Sequence, residues 1–522
     1  MANTTQGREG EEKLSALMNN AAAIRAIAAA VEGTIGPKGL DTMLVDRYGD
    51  VLITNAGVTI LEKMDVTHPA ARLLINVAKA QQEEIGDGTT TATIIASALI
   101  TQGAEQVLKG VPIARVIDGV RFGVKQAIAS IEKHSRPLET MDRQILKNVA
   151  LVAGRDHEDI ADLAVEAACL VGAEKLKDPA FKLADMILAK EGANNEVFLG
   201  VVIEKEPVSK EMPHRIEKAK IMLFDDALEP EELGEEALAT ESGFARYMEL
   251  QSEFRSALQK IVELGVNVIL TDKGIHVLAE ETFTDAGIMV LTRVPAKVVR
   301  RVAEHTGARR IKRSGLKKNL IELESYIGYA EQVCLDEKLD QVRVLGGKHK
   351  AIATILVGAS TAEVVGERER IAKDAASSVQ AAVRGGVVPG GGAIEITAAR
   401  EIMKLRDGLK GMSAYGLDCV VEALKRPLAQ IVENAGFNPL EKVEEVMAAQ
   451  SNQNNDCLTL DCDSGEVTDL YQQGIMDPTL VKLYALKAAG EVAEAILRID
   501  TIIKKRDHAP TEMQAQNQGL RS

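Results

Sequence analysis

Apolar residues recur at helical spacing through both ends of the chain, and in short strand-like runs through its middle. Residues 14–31 are alanine-rich and helical, stopping at Gly33. Residues 68–84 predict a helix: Pro69 suits its first turn, Leu73, Leu74 and Val77 share a face, and Gly86 ends it. Ile94, Ile95, Ala98, Leu99 and Val107 carry a helical period to Gly110, so Gly86-Asp87-Gly88 joins two helices. Residues 42–46 and 51–54 flank Arg47-Tyr48-Gly49-Asp50 as a hairpin, and Asn55-Ala56-Gly57 turns the chain again before 58–61. From about Met141 the pattern is helical and more charged, over 145–152 and 159–170 with a break at Gly154. Runs at 197–203, 221–224, 266–270 and 288–291 then alternate with helical stretches, an α/β layout.

Between the second and third runs lies an insert, roughly 227–264, acidic up to Glu241 and then carrying Phe244, Met248, Phe254, Leu258 and Ile261 on one helical stripe. Such a stripe usually packs into a core, yet its leading half has no strand or helix to bury against. Ser360 and Glu363 form a capping-box pair for a helix ending at Gly385, with Val364, Ile371, Ala375, Val379 and Ala382 along its buried face. Helical segments return over 393–405, 416–435 and 482–505, and the Gln-rich tail 507–522 reads as disordered. No internal repeat interrupts this order.

A chain of 522 residues has room for roughly three domains. Its 46% apolar and 27% charged composition is that of a soluble globular protein. No run approaches the ~18 apolar residues of a membrane helix, and residues 1–13 lack a signal peptide's apolar core, which points to the cytoplasm and away from a membrane. A net charge of -15 and 3% aromatic residues argue against nucleic acid, which asks for a basic face and stacking rings. Cys169, Cys334, Cys419, Cys457 and Cys462 are scattered without zinc-ligand spacing and read as buried free thiols.

The candidate chemistry centres on Gly86-Asp87-Gly88-Thr89-Thr90-Thr91. A helix starting there exposes free N–H groups and the positive end of its dipole, the glycines permit close approach, and the threonines add hydroxyl donors. Asp87 would repel a phosphate unless a cation such as Mg²⁺, which keeps few protein ligands and shares phosphate oxygens, lay between them. On the residues alone, a capped helix-turn-helix in which Asp87 merely satisfies backbone donors fits equally well. Likewise Gly36-Pro37-Lys38-Gly39 reads as a phosphate cradle or a bare turn, while on spacing alone Asp374 reads as a solvated rim residue and Asp477-Pro478 as an ordinary turn.

Taken together, Gly86 to Thr91, the Thr34-Ile35-Gly36-Pro37-Lys38-Gly39 loop, the run 51–65, Val388-Pro389-Gly390-Gly391-Gly392 and Gly474-Ile475-Met476-Asp477-Pro478 resemble, in order and spacing, the motifs of the chaperonins. That resemblance spans nearly the whole chain. It implies a multidomain α and α/β fold: a mostly helical equatorial ATP-binding domain (1–142 and 400–522), a small intermediate hinge domain (143–211 and 366–399) and an α/β apical domain (212–365). The insert at 227–264 matches the helical protrusion that serves group II chaperonins, or a bacterial relative of that type, as a built-in lid. ATP and Mg²⁺ are the implied ligands, Asp87 holding the metal. Thr34, Ile35, Gly36, Pro37, Gly88, Thr89, Thr90, Thr91 and Gly391 would then bind the nucleotide, Gly36 and Thr89 to Thr91 holding phosphate and Asp477 the ribose, and Asp374 would orient the attacking water. Further implications are two stacked rings of about eight subunits each, non-native protein clients and no separate co-chaperonin.

Two positions depart from the family pattern. Ala56 stands where such chaperonins carry a second acid, which puts fast hydrolysis, though not ATP binding, in question. Arg155 replaces a phosphate-facing lysine, and a planar fork is not equivalent to an ammonium. A monomeric ATP-dependent metabolic enzyme and a structural ring with a vestigial ATP site are the rival readings, distinguished by particle size and by client refolding. Clients, subunit composition and the apical residues that grip clients are not written in the sequence.

Overall fold

The computed structural model describes residues 2–231, 241–409 and 411–501. The acidic stretch 232–240 and the tail 507–522 therefore lie outside the described residues. Two compact units emerge, the first from the described parts of Met1–Ser135, Val388–Gln473 and Val481–Ser522, the second from Arg136–Val387 and Gly474–Leu480.

The first unit is mostly helical. Its core joins residues from both chain ends, among them Ile24, Leu74, Leu99, Val120, Leu424 and Leu486. Helices Ile113–His134 and Ser413–Asn434 meet backbone to backbone. A Cβ on Gly119 would lie 2.1 Å from the Ser413 carbonyl oxygen, and one on Gly416 2.2 Å from that of Val116, so neither position tolerates a side chain. Helix Pro69–Glu84 begins with its proline in the first turn, as its sequence predicts. Strands Thr42–Val45 and Val51–Thr54 form the expected antiparallel hairpin, Thr42 opposite Thr54. The last helix among the described residues runs Thr479–Leu497, beginning earlier than the spacing over 482–505 implies and ending before the described residues 498–501, with 502–505 outside them. The sequence pattern also misses helix Pro439–Gln453.

The second unit is built on a nine-stranded mixed sheet. Strands Arg215–Phe224, Val268–Thr271 and Met289–Leu291 run parallel, placing Ile221, Val268 and Met289 in one row and Leu223, Leu270 and Leu291 in another. Those rows pack on one face with Val299 and Val302 of helix Ala296–Thr306. The alternate residues Met222, Ile269 and Val290 face the other side, under Phe254, Leu258 and Ile261 of helix Glu241–Glu263 and Phe283 of Val277–Asp285. Burial on both faces is why these strands read as continuous apolar runs. Antiparallel strands Gly328–Asp336 and Gln341–Gly347 are interrupted by polar residues, Glu331, Gln332 and Arg343 among them, and escape that reading.

At the N-terminus of helix Ala362–Gly385 the cap is Thr361 without a side-chain bond, displacing the expected Ser360, and Val364 is exposed. Of the cysteines, all free, only Cys419 and Cys457 are buried.

Candidate nucleotide site

Helix Pro69–Glu84 ends by folding back on itself: the N–H groups of Ile85 and Gly86 both reach the Gln81 carbonyl, at 3.0 and 3.2 Å. Gly86 and Gly88 are left-handed, with φ of 87° and 78°, so two glycines bracketing one aspartate turn the chain within three residues. Gly88 is the N-cap of helix Thr89–Leu108 and, as glycine, has no side chain with which to cap it. A Cβ there would lie 2.5 Å from Val481 Cγ1 and 3.1 Å from Gln81 Nε2, a second reason for glycine. Asp87 Oδ1 accepts the Gly88 N–H at 2.6 Å.

Thr34, buried, donates its hydroxyl to the Val31 carbonyl at 2.8 Å and lies 3.4 Å, hydroxyl to hydroxyl, from Thr90. The following loop turns at Gly36, with φ of 85°, and closes by a Gly39 N–H to Gly36 carbonyl bond of 3.0 Å. Asn434 fixes its entry, donating to the carbonyls of Glu32 and Ile35 at 3.0 and 2.9 Å. Lys38 is paired with Asp463 at 2.5 Å, which raises its pKa above the ordinary lysine value. The cradle that this loop offers is therefore its backbone and the Thr34 hydroxyl, with the Lys38 ammonium occupied elsewhere.

Ala56 comes to the same place by a different route. It is 8% exposed and takes the N-cap position of helix Gly57–Lys63 without any side-chain cap. Gly57 lies so near the threonines that a Cβ on it would be 2.5 Å from Thr90 Oγ1 and 3.4 Å from Thr89 Oγ1. The first unit thus brings Thr34, Ala56, Gly88, Thr89 and Thr90 together, with Asp87 in the connecting turn. Gly391 is placed by other contacts: its carbonyl accepts the Thr459 hydroxyl at 2.8 Å. The neighbouring Gly392 is close to Leu428, 2.8 Å from where its Cβ would be, so this glycine serves the core.

Asp374 and Asp477 belong to the second unit. Asp374, half-buried on helix Ala362–Gly385, accepts Arg370 Nη1 at 2.7 Å, and Arg370 also holds Glu367 at 2.5 Å. Gly154 packs against that helix, 3.5 Å from Ala375 Cβ as judged by an added Cβ, and the exposed Arg155 follows it in a left-handed conformation, φ 53°. Asp477 sits in a short strand, Met476–Pro478, where its sequence suggests a turn.

The donors around Asp87 fit a polyphosphate: an uncapped helix N-terminus, glycines without side chains to obstruct approach, and three threonine hydroxyls. They also fit Mg²⁺ in one respect. Among the described residues no group of three or more His, Cys, Asp or Glu could hold a metal. An ion at Asp87 would therefore need phosphate oxygens and water for most of its shell, as Mg²⁺ prefers. Gln81, Gly57 and Asn434 position this site, and sequence reading misses them because their partners lie far along the chain or depend on how helices pack.

The profile of the TCP-1/cpn60 chaperonin family matches residues 27–507. The chain belongs to that family. It is 34% identical over 510 residues to "Thermosome subunit beta" of Sulfurisphaera tokodaii, spanning 94% of this chain and 91% of that protein. It is 35% identical over 505 residues to "Thermosome subunit" of Pyrococcus abyssi, spanning 93% and 90%. Among solved structures, "Crystal structure of group III chaperonin in the open state" is 46% identical, with a TM-score of 0.88 over 94% of this chain and 100% of that one. This chaperonin is accordingly of thermosome, group II-like type, an ATP-dependent subunit that acts in protein folding. No helix among its described residues is long and apolar enough to cross a membrane.

Proposed function

We propose that this chaperonin encloses non-native proteins in a cytoplasmic chamber of two stacked rings, about eight subunits each, closed by its own protrusion without a separate co-chaperonin. The observation that carries the nucleotide half of this reading is the convergence of Thr34, Ala56–Gly57 and Thr89–Thr90 on the helix start that follows Asp87. The lid half rests on helix Glu241–Glu263, where Phe244 and Met248 are 58% and 54% exposed while Phe254 and Leu258 are buried. An apolar stripe exposed over its leading half has a surface to offer a neighbouring protrusion. The division into equatorial, intermediate and apical parts, at 142, 211, 365 and 399, belongs to the same proposal.

In this scheme Thr34, Ile35, Gly36, Pro37, Gly88, Thr89, Thr90, Thr91 and Gly391 bind ATP, with Gly36 and Thr89 to Thr91 on its phosphates and Asp477 on the ribose. Asp87 binds Mg²⁺, which when present neutralises phosphate charge. Asp374 orients the water, a task it can take up only by sharing or releasing its bond to Arg370. Ala56 has no group with which to assist, so hydrolysis is slow relative to binding. Hydrolysis then shifts the hinge and the lid.

Negative-stain electron microscopy tests the assembly: end-on views with Mg²⁺ and nucleotide are expected to show rings of about eight subunits. A monomer or dimer at micromolar concentration would sink the chamber. Rings that bind ATP yet never refold a denatured client would leave only a structural ring.

A further inference from the structure

The Gly86-Asp87-Gly88 turn is held from beneath by a residue that touches no expected ligand. Gln81 is fully buried, and its Nε2 donates to two backbone carbonyls, Asp87 at 2.7 Å and Val481 at 3.2 Å. Carbonyl oxygens only accept, so the amide nitrogen must face them and the orientation of the side chain is decided by its partners. Its Oε1 is buried with no hydrogen-bond partner among the described residues, a desolvation cost that a purely structural glutamine would shed by substitution. The Gln81 carbonyl in turn receives the Ile85 and Gly86 N–H groups. One residue thus holds both sides of the turn, through its main chain before Asp87 and through its side chain at Asp87.

The second carbonyl ties in another element. Val481 lies in the first turn of helix Thr479–Leu497, its Cγ1 fills the space beside Gly88, and the next residue, Lys482, is ion-paired at 2.7 Å with the buried Glu395 near the start of helix Ala393–Met403. The turn is therefore staked to helices from the far end of the chain.

We infer that Gln81 is a positioning residue for the metal: by fixing the Asp87 carbonyl it sets the backbone from which the Asp87 carboxylate, closed on the Gly88 N–H, is presented before any nucleotide arrives. This rests on the reading of Asp87 as the Mg²⁺ ligand. A carboxylate held in place loses less freedom when it binds, so the clamp acts on metal affinity more than on phosphate contacts made by the helix N-terminus and threonines.

The test is nucleotide binding to the assembled protein, titrated with Mg²⁺ and repeated in EDTA, for wild type, Gln81→Met, Gln81→Glu and Asp87→Asn. Gln81→Met keeps the volume and removes both bonds. We expect the Mg²⁺ concentration for half-maximal binding to rise about tenfold, with affinity in EDTA changed less than about twofold. Gln81→Glu should behave similarly at a pH high enough to ionise its carboxyl, whose pKa burial raises, since the carboxylate offers the two carbonyls no donor. If Asp87→Asn shifts the Mg²⁺ requirement and both Gln81 variants leave it unchanged, the clamp fails while the metal reading stands. If Asp87→Asn does not shift it, the metal reading itself fails. Should the Gln81 variants not fold, amide exchange on the wild-type protein decides: the Ile85 and Gly86 N–H groups, bonded to the Gln81 carbonyl, are expected to be protected without nucleotide, and protection of these two that appears only with Mg²⁺-ATP would overturn the proposal.

Discussion

Gly57 presents a bare Cα to Thr90, and a Cβ in its place would lie 2.5 Å from the threonine Oγ1. That approach ties the hairpin-to-helix turn holding Ala56 to the helix start after Asp87. Alanine in a helix is favoured over glycine by about 1 kcal/mol, but overpacking against a β-branched, rotamer-restricted neighbour costs about 1–3 kcal/mol. We therefore expect Gly57→Ala to destabilise the protein. Its cost should be smaller in a Thr90→Ala background, by about 1 kcal/mol in a double-mutant cycle read by chemical denaturation. Additive effects would mean that the two residues do not press on one another.

Acid should loosen the first unit at a specific place. Burial works to raise the Glu401 pKa, yet hydrogen bonds from Ser130, His134 and Lys133 together outweigh it and hold the group at about 2, against an ordinary 4.5. His134 also meets Asp456 at 2.8 Å. A depressed carboxylate pKa contributes stability that is fully present above about 4.5 and is lost as pH falls through that value towards about 2. Over that window the melting temperature of Glu401→Gln should fall less steeply with pH than that of wild type. Parallel slopes would show that the cluster contributes nothing to acid sensitivity.

Much of this was legible in the sequence because punctuation is local. Pro69, Gly86 and Gly110 mark the helices on either side of Asp87, and the structure ends or begins helices at Glu84, Thr89 and Leu108. The exposed Phe244 and buried Phe254 on one stripe could also be read, since a helical period exposes a face that no following element covers. What could not be read depends on approach across the fold. Nothing near Gln81 announces Val481, nothing near Thr34 announces Asn434, and Ala56 looked like a missing acid without looking like a helix N-cap.

The protrusion can be removed cleanly if it is a lid. Its buried part begins at Leu250 and Phe254, so deleting 229–244 should spare the apical core. Rings and nucleotide binding are expected to persist, while a bound client loses its protection from added protease in the closed state. A deleted form that still shields its client would refute the lid assignment.

The sharpest test concerns Ala56, because the structure gives a new carboxylate there two possible uses. As the uncapped N-cap of helix Gly57–Lys63, it would satisfy free N–H groups and add about 0.5–2 kcal/mol of stability. Set against Thr89 and Thr90, it would also stand beside the phosphate site and could hold the attacking water. The two uses separate by measurement: capping raises the melting temperature with no change in turnover, whereas water orientation raises turnover. We expect Ala56→Asp to increase the ATPase rate of intact rings at least about tenfold, some 1.4 kcal/mol of barrier, with little change in nucleotide affinity. Adding Asp374→Ala should lower what activity remains, because the second carboxylate would then be lost. An unchanged rate in rings that bind ATP tightly, whether or not the protein melts higher, would remove position 56 from the chemistry and leave it a helix cap.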